Sequence, residues 1–481
     1  MAKSIIHNIV AKGSLDLFNT LLPILVTPYV YRVMGKFYMG SIEYMITLFT
    51  YFSMLGMLGI YNYGLRSISS NRNNIDKVRY VYKNLFVIGL ISNTIFIVAY
   101  IVFLYCFVSN PIVKTLGFIY CGNLIAQLFY VEWVNEGFEE FKFITIKTVI
   151  IRSLSVIAIF TLVKNESDAI LYVIIQSSVC IINYLVSFVY AQKRIRLSIR
   201  EIFTDLHLRE FIGPLLIILV LKNTGILYTV TDRTMLGYFT GTDNVALFSI
   251  GQKIVEICKT LVLSVVFATL PRLALYLKDE PEKYQEGLNR IMRLVIALIV
   301  PVGMGLFLLS KDVIWLFGGD QFLGGVMAMR IFSLRVIFLA VESILYNQIL
   351  FLHGKEKIIL KYNLLCGVLN VLLNFIIYHH LTPATAVFTT WISEIVFETL
   401  MILYIRNNIP IKIGLFKLYN LKYVILSLLF IPFVWIINKF NMPQFVSMIT
   451  SMTICSLFYL SALYLSKDTL LVDIFKRFRK I

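Results

Sequence analysis

KNTGILYTVTDRTMLGYFTGTDNVALFSIGQKIVEICKTLVLSVVFATLPR, residues 222–272, decides how the chain is read. By hydropathy it is two membrane helices joined by a short polar turn near Gly241–Asn244. Yet Lys222, Asp232, Arg233, Lys253, Glu256 and Lys259 lie at or within those helices. A charge in hydrocarbon is expensive, so such groups face a protein interior or a wet cavity. At about 100° per residue, Lys222 and Arg233 share one side of the first helix, and Lys253, Glu256 and Lys259 fan over roughly 120° of the second. The stretch therefore predicts two helices lining a polar, net basic interior.

The rest of the chain supplies the oil around it. Of 481 residues 59% are hydrophobic and 15% charged, and the mean hydropathy is +0.81. Apolar runs of about 18 or more residues recur throughout, which predicts an all-α integral membrane protein. Fourteen spans are expected, near 10–31, 39–62, 84–108, 112–134, 143–163, 168–191, 211–236, 244–270, 291–310, 325–352, 358–378, 383–404, 421–438 and 443–465. No signal-peptide cleavage pattern follows the N-terminus, so the first run reads as a retained helix.

The net charge of +17 does not make a nucleic-acid binder, because the basic residues sit in short loops between apolar runs. With the N-terminus in the cytoplasm, roughly 31 of the 44 Lys and Arg fall on the cytoplasmic side and about 6 outside. That bias places both termini in the cytoplasm. The six cysteines are scattered without a CxxC pair, so neither a zinc site nor a disulfide framework is supported. No metal, cofactor or catalytic residue is expected.

Two stretches echo each other, YVYRVMGKFYMGSIEYMITL and YTVTDRTMLGYFTGTDNVALFSI. Each has an Arg, then Met and Gly, a turn and a second span, with Arg32 matching Arg233. This suits a transporter of two six-helix repeats, 1–195 and 196–408, with two added helices and a basic tail over 409–481.

The segment VTPYVYRVMGKFYMGSIEYMITLFTYFSMLGMLGIYNYGLRSI resembles the opening of the bacterial polysaccharide-biosynthesis flippases, the Wzx-type O-antigen and capsule transporters. The residues that carry the resemblance are Pro28, Tyr29, Arg32, Gly35, Gly40, Tyr51, Phe52, Tyr63, Gly64 and Arg66, with a stretched spacing after Gly59. A second segment resembles the family's seventh and eighth spans through Asp232, Arg233, Met235, Leu236, Gly237, Lys253, Pro271 and Arg272. That resemblance implies a V-shaped two-lobe member of the multidrug and lipid-carrier exporter superfamily. It implies a bacterial inner-membrane protein that flips a lipid-linked oligosaccharide, the usual carrier being undecaprenyl diphosphate. Partners implied with it are membrane lipids, a proton or sodium ion, and the polymerase and chain-length proteins of the same pathway.

A diphosphate resists entering hydrocarbon, and a lumen of Lys and Arg replaces its water shell with cations. The candidates for that lumen are Arg32, Arg152, Lys222, Arg233, Lys253 and Lys259. Asp16, Asp232, Glu256, Glu342, Glu394 and Glu398 are candidates for a coupling ion or for charge partners. Each has a blander reading. Asp232 and Arg233 suit an interfacial pair snorkelling to water. Lys253, Glu256 and Lys259 suit mutual ion pairing, Arg152 an extended cytoplasmic helix end, and Asp16 a local pair with Lys12. Glu342 suits a partner for Arg335 or Arg330. His379–His380 reads as interfacial. Two rival functions stand beside the flippase: a cation-coupled drug exporter of the same superfamily, and a polymerase or ligase enzyme, which would need a large external loop that the sequence lacks.

Overall fold

The computed structural model describes residues 2–223, 230–415, 417–468 and 470, with the side chains of residues 2–11 and of Ile199, Lys222 and Val265 outside the described set. Every regular element among these residues is helical. Eleven helices are long and apolar enough to cross a membrane. The first of them carries two of the expected spans: α1 (Ala2–Met57) leaves helical geometry at Gly35, where φ is 66° and ψ 176°. The fourth expected span is shorter than a full crossing, and the seventh includes residues 224–229, which lie outside the described set. The fourth is α4 (Pro111–Gln127), and the seventh is α9 (Arg209–Asn223) followed by α10 (Thr231–Thr240).

The chain forms two compact units, Met1–Ala246 and Leu247–Ile481. The first holds α1 to α10, with α2 (Ile60–Asn71), α3 (Ile75–Phe107), α5 (Glu132–Gly137), α6 (Phe141–Leu162), α7 (Ala169–Ile195) and α8 (Ile199–Ile202) completing it. In it α1 packs on α3, α4 and α6, and α7 on α4 and α6. The helix Thr242–Asp279 (α11) runs from the first unit into the second. A packing boundary differs from a repeat boundary. α9 and α10 fall on the first side here because α9 packs on α2 and α10 on α1.

Glycines let α1 meet α10 and the first residues of α11 closely. A Cβ at Gly40 would lie 2.0 Å from the Thr242 carbonyl oxygen, and one at Gly237 would lie 2.2 Å from the Tyr44 ring. Tyr51 adds a hydroxyl contact to Thr234 at 3.2 Å. In the second unit α12 (Pro281–Leu308), α13 (Ser310–Gly318), α14 (Val326–Ser343), α15 (Glu356–Ile376) and α16 (Pro383–Asn408) form the core, with α14 against α12 and α16. α17 (Leu418–Leu428), α18 (Phe430–Asn438) and α19 (Gln444–Leu465) follow, and α17 packs on α12.

Candidate functional site

In the first unit the sequence-predicted Arg233 is not a bare cation. Its Nη1 lies 3.3 Å from Oε2 of Glu43, whose other oxygen accepts from the Tyr31 hydroxyl at 3.2 Å. Glu43 is 2% exposed and Asp232 1%; the Arg233 side chain is 15% exposed. Arg233 Nε is buried with no hydrogen-bond acceptor. Glycine packing supports this geometry, since a bare Gly237 lets α10, and a bare Gly40 lets the start of α11, approach α1 closely. Arg32 is exposed on α1, where it interacts with other groups.

Asp16 and Lys12 are both exposed, and the expected pair between them is not made among the described residues. Lys12 lies instead over the Phe141 ring, 5.5 Å from its centroid, because α1 and α6 run side by side. Arg152 sits in the middle of α6 and is half-buried, which removes the reading of an extended helix end. Lys222 was predicted to share a face with Arg233, but its side chain lies outside the described residues, as do residues 224–229 between them.

In the second unit Lys259 pairs with Glu256 at 2.7 Å, and Lys253 is half-buried with interactions of its own. Arg335 interacts with Glu342 electrostatically, but its salt bridge goes to another acid. It makes a two-pronged salt bridge to Glu394, with Nε donating at 2.6 Å and Nη2 to the other oxygen. Planar forks of this kind are among the stronger hydrogen-bonded ion pairs. Glu394 lies on α16, and Glu398 follows one turn later, 7% exposed, with a buried Oε1 that has no hydrogen-bond partner. Arg330 donates to the Ser310 hydroxyl at 3.2 Å. His379 and His380 are exposed at the end of α15. Among the described residues no group of His, Cys, Asp and Glu has a metal-binding arrangement.

Three charged clusters escaped the sequence reading. Glu43 is one. The second is Lys147 on α6, bound to both oxygens of Glu132 at 3.0 Å and to the Ser187 hydroxyl. The third is Asp468, which accepts from Arg293 at 2.9 Å, Lys422 at 3.1 Å and the Leu470 backbone N–H at 3.0 Å. Glu43 and Glu132 fall within expected spans, so an acid inside an apolar run was the available signal. Asp468 gave none, because it follows the last span in sequence.

A small cavity in the first unit, about 20 Å³, opens where α1 and α4 end, lined by Met57, Phe86, Asn93, Gln127, Tyr130 and Trp133. No candidate charge lines it.

Comparison with known proteins gives the following. A family model described as "Polysaccharide biosynthesis protein" matches residues 5–276, and a model described as MatE matches residues 219–376. A protein of Escherichia coli (strain K12) named as an O-antigen transporter is 22% identical over 423 residues, covering 85% of this chain and 97% of that protein. A second so named, from Shigella dysenteriae, is 22% identical over 408 residues, covering 81% and 96%. Among solved structures, the lipid II flippase MurJ in an inward closed conformation aligns with a TM-score of 0.73 at 13% identity, over 97% of this chain and all of that one. That likeness is one of fold alone, an all-α architecture.

Proposed function

Since the chain belongs to the polysaccharide biosynthesis protein family, we propose that it is a flippase for an undecaprenyl-diphosphate-linked oligosaccharide of O-antigen, capsule or exopolysaccharide type. It works by alternating access through a cationic lumen in the bacterial inner membrane, with both termini cytoplasmic. The observation that carries this reading is the family match over more than half the chain, joined by charges placed inside apolar spans of both compact units. The relatives named as O-antigen transporters support the substrate class.

In this reading Arg32, Arg152, Lys222, Arg233, Lys253 and Lys259 contribute to the lumen. Several weak cationic contacts serve transport better than one strong trap, because the ligand must also leave. Of the acids, Glu398 best suits a bound proton or cation, as its buried Oε1 lacks a partner. The MatE match over 219–376 favours the drug exporter as the rival. One experiment separates them: the purified protein is reconstituted in vesicles and offered a lipid-linked oligosaccharide or a cationic dye, each with and without an ion gradient. Flipping of the oligosaccharide supports the proposal. Dye efflux without flipping would replace it with the exporter.

A further inference from the structure

Buried cations in this protein follow a rule. Arg233 has Glu43, Lys147 has Glu132 and Arg335 has Glu394, each carboxylate coming from the same compact unit. Arg152 departs from it. Its side chain is half-buried in the middle of α6 and makes no ion pair, hydrogen bond or ring contact among the described residues. Ion pairing elsewhere satisfies the cation internally; at Arg152 no described residue does so. An unpaired charge at membrane depth costs free energy unless water or an anion meets it.

The neighbouring helix supplies complementary chemistry. α1 runs parallel to α6, held by Lys12 over Phe141 at one end and by the Tyr29 hydroxyl on the Val163 carbonyl, 2.6 Å, at the other. Asn19 falls between these anchors, as Arg152 does on α6. The Asn19 Oδ1 is buried without a hydrogen-bond donor. Pro23, four residues on, has no N–H to give the Asn19 carbonyl. Among the described residues this part of the first unit therefore holds a cation without an ion pair on α6 and an unpartnered side-chain acceptor on α1. An anion with hydroxyl groups beside it would satisfy both.

We propose that Arg152 holds the phosphate end of the transported lipid and that Asn19 accepts from a hydroxyl of the attached sugar. This deepens, and rests on, the flippase reading. Among the lumen cations it gives Arg152 the phosphate contact, since Arg233 already faces Glu43.

The test uses the full chain in lipid nanodiscs and two probes, geranylgeranyl diphosphate and geranylgeraniol. The wild type is expected to bind the diphosphate at least about tenfold more tightly than the alcohol, the effect of one charge-assisted contact. Arg152→Gln loses that preference and Arg152→Lys keeps part of it. Because an unpaired charge is being removed, Arg152→Gln melts no lower than the wild type, which a structural role would not allow. Arg152→Met, of similar length, covers the case of a glutamine variant that fails to fold. Equal discrimination in Arg152→Gln or Arg152→Met and in the wild type, or no discrimination in the wild type, overturns the proposal. A wild type that discriminates but flips no lipid-linked oligosaccharide rejects the flippase reading and leaves the anion site standing.

Discussion

At the residue scale the question is what an intramembrane charge is for, and Glu43 answers it for Arg233. Glu43→Gln leaves a guanidinium with little water and no counter-charge, a change expected to cost up to about 3–5 kcal/mol. Arg233→Gln should cost comparably. The swap, Glu43→Arg with Arg233→Glu, is expected to recover much of the lost melting temperature in detergent. Its transport separates two roles: recovery along with stability means that the pair is structural, whereas a stable but inactive swap means that Arg233 itself touches substrate. Asp468 gives a pH prediction. Burial pushes its carboxyl up, but the Leu470 N–H, Lys422 and Arg293 outweigh that and hold it below the ordinary carboxylate value. A group with a depressed folded value stabilises the fold above its unfolded value, near about 3.9, and that stability is lost as pH falls through the folded one. Asp468→Asn should therefore lower the melting temperature at pH 7, by the equivalent of about 1.5–3 kcal/mol. The gap to wild type should narrow below about pH 4. A gap that is constant with pH would remove the charge from the explanation.

At the element scale, glycines decide which helices touch. Gly237 brings α10, and Gly40 the start of α11, onto α1, while Gly64 gives its space to Trp133, whose ring carbon would lie 2.4 Å from a Cβ there. Gly40→Ala meets backbone oxygen, which does not rotate away, and should cost about 1–3 kcal/mol. It should also weaken the Glu43–Arg233 pair, so a double-mutant cycle between Gly40→Ala and Glu43→Gln is expected to be non-additive. Strict additivity would mean that the glycine contact and the ion pair are independent. Helices and their order were legible in the sequence because hydropathy is a local property. The turn at Gly241 and the break at Gly35 were legible too, the first as a polar interval and the second as the gap between expected spans. The partner of Arg233 was not, since Glu43 lies 190 residues away and nothing local ties the two. Arg335 shows the same limit: Glu342 was the near acid in sequence, and a neighbouring helix supplied Glu394 instead.

At the scale of the whole molecule, the distribution of charge makes the strongest claim that sequence alone allowed. Loop Lys and Arg alternate between rich and poor from one loop to the next along the chain, and the bilayer reads that alternation as orientation. The bias holds only if the spans between successive loops are complete crossings, so orientation and span number stand or fall together. The crossings to test are the fourth, where α4 ends at Gln127, and the seventh, which carries α9 and α10. Three positions test them. Reporters fused after Lys114, before the fourth span, and after Lys439, before the last, are expected to report the external side. One fused after Arg196, following the sixth, should report the cytoplasm. Losing one crossing inverts every later loop and moves the C-terminus outside, so Lys439 would change sides while Lys114 would not. A further reporter after Gly241 lies beyond the seventh span. Losing both crossings restores Gly241 as well as Lys439, which is why the reporter after Arg196, between the two crossings, is needed: it would then read external. An external signal at Lys114, Gly241 and Lys439 with a cytoplasmic one at Arg196 is the fourteen-span arrangement. A cytoplasmic signal at both Arg196 and Gly241 would mean that the seventh span does not cross, and Arg233 would then sit at the floor of the lumen instead of its outer end.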